Sequence, residues 1–111
     1  MASQYVRLLD SRTLNANDAM LERDAVDLGA YRIIVAQIRM GKVGTAGNIL
    51  LETSLTNEPG TFVAIPNVTW AANVATPAVL VGEAFGRYVR WKADNAVAGS
   101  PVVTIDVLAK E

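Results

Sequence analysis

The chain contains neither cysteine nor histidine. The first absence excludes disulfides, thiolate nucleophiles and thiolate metal ligands, and it leaves the redox compartment open. The second removes the commonest general base and the commonest metal-ligating side chain. Charge of neither sign dominates: ten Lys and Arg stand against eleven Asp and Glu, a formal net charge of -1. That balance gives no electrostatic ground for binding nucleic acid or an anionic membrane. No apolar run reaches the roughly 18 residues of a membrane-spanning helix. The N-terminus, Met-Ala-Ser-Gln-Tyr-Val-Arg, lacks the long apolar segment of a secretory signal. The expectation is a chain made inside the cell and not exported by that route.

What the chain has in quantity is small apolar side chains, with 17 alanines and 14 valines among 111 residues. Counted with glycine and without tyrosine, the apolar share is about 56%, against roughly 45–50% for an ordinary domain. Such an excess fills β cores. It also suits a surface that other subunits cover. The length fits one domain able to bury a core without staples.

The longest strand-like run is Tyr31–Met40, bounded by Leu28-Gly29-Ala30 and by the glycine-rich Gly41–Gly47. Successive side chains of a strand point to opposite faces. Here Ile33 and Val35 fall on one face, and Ile34, Ala36, Ile38 and Met40 on the other. Apolar residues on both faces predict a central strand covered on two sides. A buried helix competes by periodicity alone; the β-branched content and the glycine loop favour a strand.

The remaining segments follow the same grammar. Ser3–Leu9 reads as a first strand and Asp10–Ala19 as a polar loop. Ala19–Arg23 offers one helical turn, or an irregular approach to a short strand at Ala25–Leu28. Asn48–Leu55 is expected to form a hairpin with Tyr31–Met40 across a flexible Gly41–Gly47 loop. Thr56-Asn57-Glu58-Pro59-Gly60 is a turn. Pro66 cannot donate to a ladder, so it separates strands at Thr61–Ile65 and Val68–Ala71 or marks a sheet edge. Pro77–Glu83, Arg87–Ala93 and Pro101–Ala109 complete about eight strands, with Val79 and Val81 sharing one side. The prediction is an all-β fold: an antiparallel β-sandwich or jelly roll of about eight strands, with a closed barrel as the rival. It is one domain overall, with residues 1–24 as an N-terminal strand and polar arm and residues 25–111 as the sandwich body.

Candidate chemistry is sparse. Gly41–Gly47 lacks the spacing of a phosphate-binding loop, because Ala36 and Val43 occupy the diagnostic positions. Asp18, Glu22, Asp24 and Asp27 supply oxygen ligands suited to a hard cation, but their spacing matches no calcium loop. Glu52 with Glu83, or Asp94 with Asp106, are the carboxylate pairs available for acid–base work. No catalytic residue, metal site or cofactor is assigned. The most suggestive stretch is Phe85-Gly86-Arg87-Tyr88-Val89-Arg90-Trp91-Lys92. On a strand, Val89 and Trp91 face the core and Tyr88, Arg90 and Lys92 form an outward stripe. That stripe can hydrogen-bond, stack or pair with carboxylates. Trp70 and Trp91 are the candidate aromatic contacts: each is a core anchor, or a platform for a sugar.

Several stretches occur in order: Ala25–Arg32, an apolar strand, a glycine loop, Leu51-Glu52-Thr53-Ser54, Phe62-Val63-Ala64-Ile65-Pro66, and Phe85–Trp91. A Gly-Ser-Pro loop and a last strand follow. Over Val26–Lys110 this order resembles small β-sandwich proteins encoded among the structural genes of tailed phages and prophages. In outline it is also similar to discoidin-like jelly rolls, where a Leu-Glu-Ser strand and a late Arg-Tyr-aliphatic-Arg strand recur. Phe62 stands where such chains often carry tryptophan, a departure that counts against a sugar-binding reading more than against the fold. The resemblance implies a non-enzymatic virion subunit: a capsid-decoration, fibre-base or connector protein. Its partners would be copies of itself or another capsid or virion protein, with no nucleic acid and no membrane. The alternative partner is a glycan. The segment Met1–Asp24 would be an arm that docks on a neighbouring subunit and orders on binding.

Overall fold

A computed structural model describes residues 3–21, 24–29, 31–84 and 86–111. Glu22 and Arg23, which belong to the possible helical turn and to the acidic cluster, lie outside the described residues, as does Phe85. Eight strands run in chain order: β1 Ser3–Thr13, β2 Val26–Asp27, β3 Ile33–Lys42, β4 Asn48–Ser54, β5 Val63–Ala71, β6 Ala78–Glu83, β7 Tyr88–Ala93 and β8 Val102–Lys110. They form two four-stranded antiparallel sheets, ordered β1-β8-β3-β6 and β2-β7-β4-β5. The chain changes sheet at every connection except β4 to β5, which is the strand order of a jelly roll. The expected antiparallel sandwich of eight strands is what the chain forms.

Alternation builds the core. Ile34, Ala36 and Ile38 of β3 point inward with Val103, Ile105, Val107 and Ala109 of β8. Ile49 and Leu51 of β4 and Val89, Trp91 and Ala93 of β7 meet them from the other sheet. Four register shifts interrupt the ladders, and two of them bring neighbouring residues of one strand into the core together. In β1 the register with β8 shifts between Arg7 and Leu9, so consecutive Leu8 and Leu9 are both buried. In β5 Pro66 and Asn67 are looped out, with Asn67 at φ 67°, so Ile65 and Val68 both face inward. A bulge adds residues to one strand and bends it. Pro66 therefore sits inside one bulged edge strand and does not divide two.

Four expectations are corrected. First, β3 and β4 do not form a hairpin, because they lie in different sheets. Second, the loop between them is pinned rather than flexible. Gly44 N–H donates to the Ala72 carbonyl at 2.7 Å, and Thr45 N–H to the Ala98 carbonyl at 2.9 Å. Gly47 has φ 90°, and a Cβ there would overlap the backbone of Val97, so only glycine fits. Loop amides bonded to neighbouring loops leave no slack, which is why the crossing is fixed. Third, β3 is central within its sheet, but its own chain covers only one of its faces. Ile33 and Val35 on the other face are half-buried. Fourth, β1 continues through Asp10–Thr13, where a loop was expected, because this stretch stays paired with β8 as far as Val102.

Candidate interaction surface

The outer faces of the two sheets carry the charged and polar chemistry, and they differ. On the β2-β7-β4-β5 face, β7 turns Val89 and Trp91 inward and Tyr88, Arg90 and Lys92 outward, as the alternation requires. The three outward residues are half-buried, and their partners set them apart. The Arg90 guanidinium reaches Glu52 across the β4–β7 register, with Nε and Nη2 each 2.9 Å from Oε1. It also lies 4.4 Å from the Phe62 ring centroid and donates to the Met20 carbonyl at 3.4 Å. The Arg90 and Glu52 side chains are only 13% and 9% exposed. A desolvated arginine with a carboxylate, a ring and a carbonyl around it acts as a tie between segments. The stripe is thus split: Arg90 is engaged within the chain, while Tyr88 and Lys92 flank it.

Arg87 sits beside the stripe and is held by Asp27 of β2, with Nε–Oδ1 and Nη2–Oδ2 both at 2.8 Å. Asp27 Oδ1 also accepts the Gly29 N–H at 2.9 Å. The Arg87 guanidinium, and after it the Gly29 amide, hold the Asp27 carboxyl below the usual carboxylate range. This fork joins the two-residue strand β2 to the start of β7, beside the backbone bond from the Leu28 N–H to the Arg87 carbonyl and the buried Leu28 side chain.

The two candidate aromatic contacts are inside. Trp70 is 5% exposed and Trp91 2% exposed, so neither offers a ring face to a ligand. The Arg12 guanidinium caps Trp91 from the flank at 5.1 Å. The carboxylate pairs do not converge. Glu52 and Glu83 lie on strands of opposite sheets, each on the face away from the core. Asp94 accepts the Ala96 N–H and the Asn48 side-chain amide, whereas Asp106 belongs to a separate cluster. Among the described residues no group of three or more Asp or Glu could hold a metal ion.

That separate cluster is on the outer face of β1-β8-β3-β6. Asp106 Oδ1 accepts the Tyr5 hydroxyl at 2.6 Å and the Arg7 Nε–H at 2.9 Å. Hydrogen bonding from Arg7, and then from Tyr5, holds the Asp106 carboxyl below its ordinary range despite its partial burial. The bond to Asp106 raises the Tyr5 phenol in turn. This cluster fastens the edge strand β1 to β8. Sequence reasoning missed it because its members are about a hundred residues apart, and only the antiparallel register brings them together.

On the same face lies an apolar row. Tyr5 is opposite Leu108, Leu108 opposite Val35, and Val35 opposite Val81, so the row crosses all four strands. Tyr5 is 60% exposed and Val81 59%, and Val79 in the next row is 57% exposed. Exposed valines and a tyrosine aligned across a sheet are a different matter from scattered surface apolars. The signal was visible as the shared side of Val79 and Val81; the register extends it to β1 and β8.

No family model matches this chain, and no curated protein matches it in sequence. Among solved structures, the chain is similar to the SPBc2 prophage-derived protein YomS, with TM-score 0.64 at 12% identity, covering 97% of this chain and 92% of that one. A chain of Bacillus endospore appendages, a family of disulfide-linked pili, aligns with TM-score 0.44 at 12% identity, covering 98% and 86%. The tobacco streak virus coat protein, solved as a dimer, aligns with TM-score 0.36 at 12% identity, covering 97% and 86%. The first likeness supports the sandwich fold from end to end; the other two add nothing to it.

Proposed function

We propose that this chain is a non-enzymatic structural subunit of a phage-type virion, a capsid-decoration, fibre-base or connector protein that acts through protein–protein contacts. The observation that carries the reading is the end-to-end likeness of fold to a prophage-derived protein. The unpartnered apolar row on the β1-β8-β3-β6 face adds support, since an assembling subunit needs a surface of that kind. On this reading the protein is made in the bacterial cytoplasm and ends in the particle, and its partners are copies of itself or another shell protein. Tyr88 and Lys92 supply polar contacts on the opposite face, that of β2-β7-β4-β5, and Arg90 holds that face in shape. No observation favours the glycan reading, because Trp70 and Trp91 are buried.

The test uses particles produced by cells from which the gene has been deleted. Purified chain added to such particles binds saturably and sediments with them. Failure to bind the particles, or any isolated shell protein, would overturn the proposal.

A further inference from the structure

We infer that the outer face of the β1-β8-β3-β6 sheet is the contact between two copies of this chain, packed sheet against sheet about a two-fold axis that runs along the apolar row. The inference names a partner for the subunit proposed above and rests on that reading.

The register defines three rows across the four strands. The middle row is Tyr5, Leu108, Val35 and Val81. On one side of it lie Arg7, Asp106, Gln37 and Val79; on the other lie Ser3, Lys110, Ile33 and Glu83. A two-fold contact puts the same patch on both subunits, so the patch must complement itself. An axis along the middle row lays that row on its own copy, apolar against apolar. It also exchanges the flanking rows. Asp106 then faces the second copy's Lys110, Arg7 faces Ser3, Gln37 faces Ile33 and Val79 faces Glu83.

No like charges meet in this arrangement, and the one charged pairing is of opposite sign. Lys110 has no ion-pair partner among the described residues. Asp106 Oδ2 has only a 3.5 Å contact with Arg7, which leaves it able to accept a second cation. The outward charges of the flanking rows balance, with Arg7 and Lys110 against Asp106 and Glu83. A strongly basic or acidic partner therefore has nothing to select here, whereas an identical face does.

Size sets the strength. Four strands about 4.8 Å apart and about six residues at about 3.4 Å each give a patch of roughly 400 Å² per copy. That is about half the roughly 800 Å² per partner of a standard interface, so the free dimer is weak and transient, with dissociation in about the tens-of-micromolar range. Repetition in a many-copy particle compensates for such weakness.

The experiment is sedimentation velocity of the full chain from about 5 to about 500 µM, bracketing that range. Native chain passes from monomer to dimer across the series. Val81→Lys, at an exposed edge-strand position that tolerates lysine, sets ammonium against ammonium at the axis and weakens the dimer at least tenfold. Lys110→Glu sets carboxylates against each other and weakens it severalfold, an effect that added salt reduces. Val63→Lys, on the other sheet, leaves the dimer unchanged. Thermal unfolding of each variant confirms that the fold is intact. A dimer that survives Val81→Lys, or one that is lost in Val63→Lys, would overturn the inference. So would a chain that stays monomeric to the top concentration. If that monomeric chain still binds particles, the pairing falls and the subunit reading stands.

Discussion

Replacing Arg90 with methionine is the sharpest test of what the Tyr88–Lys92 stretch is for. If Arg90 belonged to a solvated recognition stripe, the change would alter binding and leave stability within a few tenths of a kcal/mol, as surface substitutions do. The structure requires otherwise. Glu52 is 9% exposed and takes two contacts at 2.9 Å from Arg90. Removing the guanidinium strands a carboxylate where water hardly reaches, a change that costs about 3–5 kcal/mol. Loss of the Phe62 contact falls within that figure. At about 4 °C per kcal/mol for a domain of this length, the melting temperature drops by about 12–20 °C. The double variant Glu52→Leu with Arg90→Met replaces the pair by apolar groups and returns to within about 1 kcal/mol of native. Calorimetry and urea unfolding of the two single variants and the double measure the coupling directly. An Arg90→Met cost below about 1 kcal/mol, with additive single effects, would refute the buried tie.

Further expectations follow from other parts of the molecule. A Cβ at Gly82 would lie 2.6 Å from Val68 Cγ2 and 2.9 Å from the Pro66 carbonyl oxygen. Gly82→Ala therefore pushes the sheets apart at the β5–β6 flank and costs about 1–3 kcal/mol, read by urea unfolding. The folded-state pKa values of Asp106 and Asp27 are depressed, so the unfolded chain binds more protons in acid. Their contribution is present above the unfolded value of about 3.9 and is lost as pH falls through the folded values. The Tyr5 phenol is raised, so its contribution holds below about pH 10 and fades above it. A plot of melting temperature against pH is thus flat between these limits and falls on both sides, and Asp106→Asn softens both falls. Trp70 and Trp91, both buried, give blue-shifted emission that iodide quenches weakly and a glycan panel leaves unchanged.

How much of this was legible in the sequence depended on how local the signal was. Val103, Ile105 and Val107 announce β8 by alternation alone, and the inward turn of Val89 and Trp91 follows from the same period of two. The glycines of Gly41–Gly47 marked a change of direction. Whether the chain returned in the same sheet or crossed to the other was decided by distant partners, the Ala72 and Ala98 carbonyls. Pro66 was legible as an edge feature, but the looping-out that keeps Ile65 and Val68 on one face depends on the left-handed backbone of Asn67. The stripe Tyr88, Arg90 and Lys92 was placed on the outward face. That Arg90 is spent within the chain depends on β4 lying beside β7, a pairing no short spacing reveals. The apolar row was hardest to see. Each of its members looks like an ordinary strand residue, and only the register of four strands aligns them.

Gradient-purified particles from cells that carry the gene, analysed by quantitative mass spectrometry, bear most directly on the structural role. The account predicts this chain in fixed stoichiometry with the major shell proteins, in many copies per particle. Its absence from particles that are otherwise complete, with the chain recovered only free of them, would contradict the account.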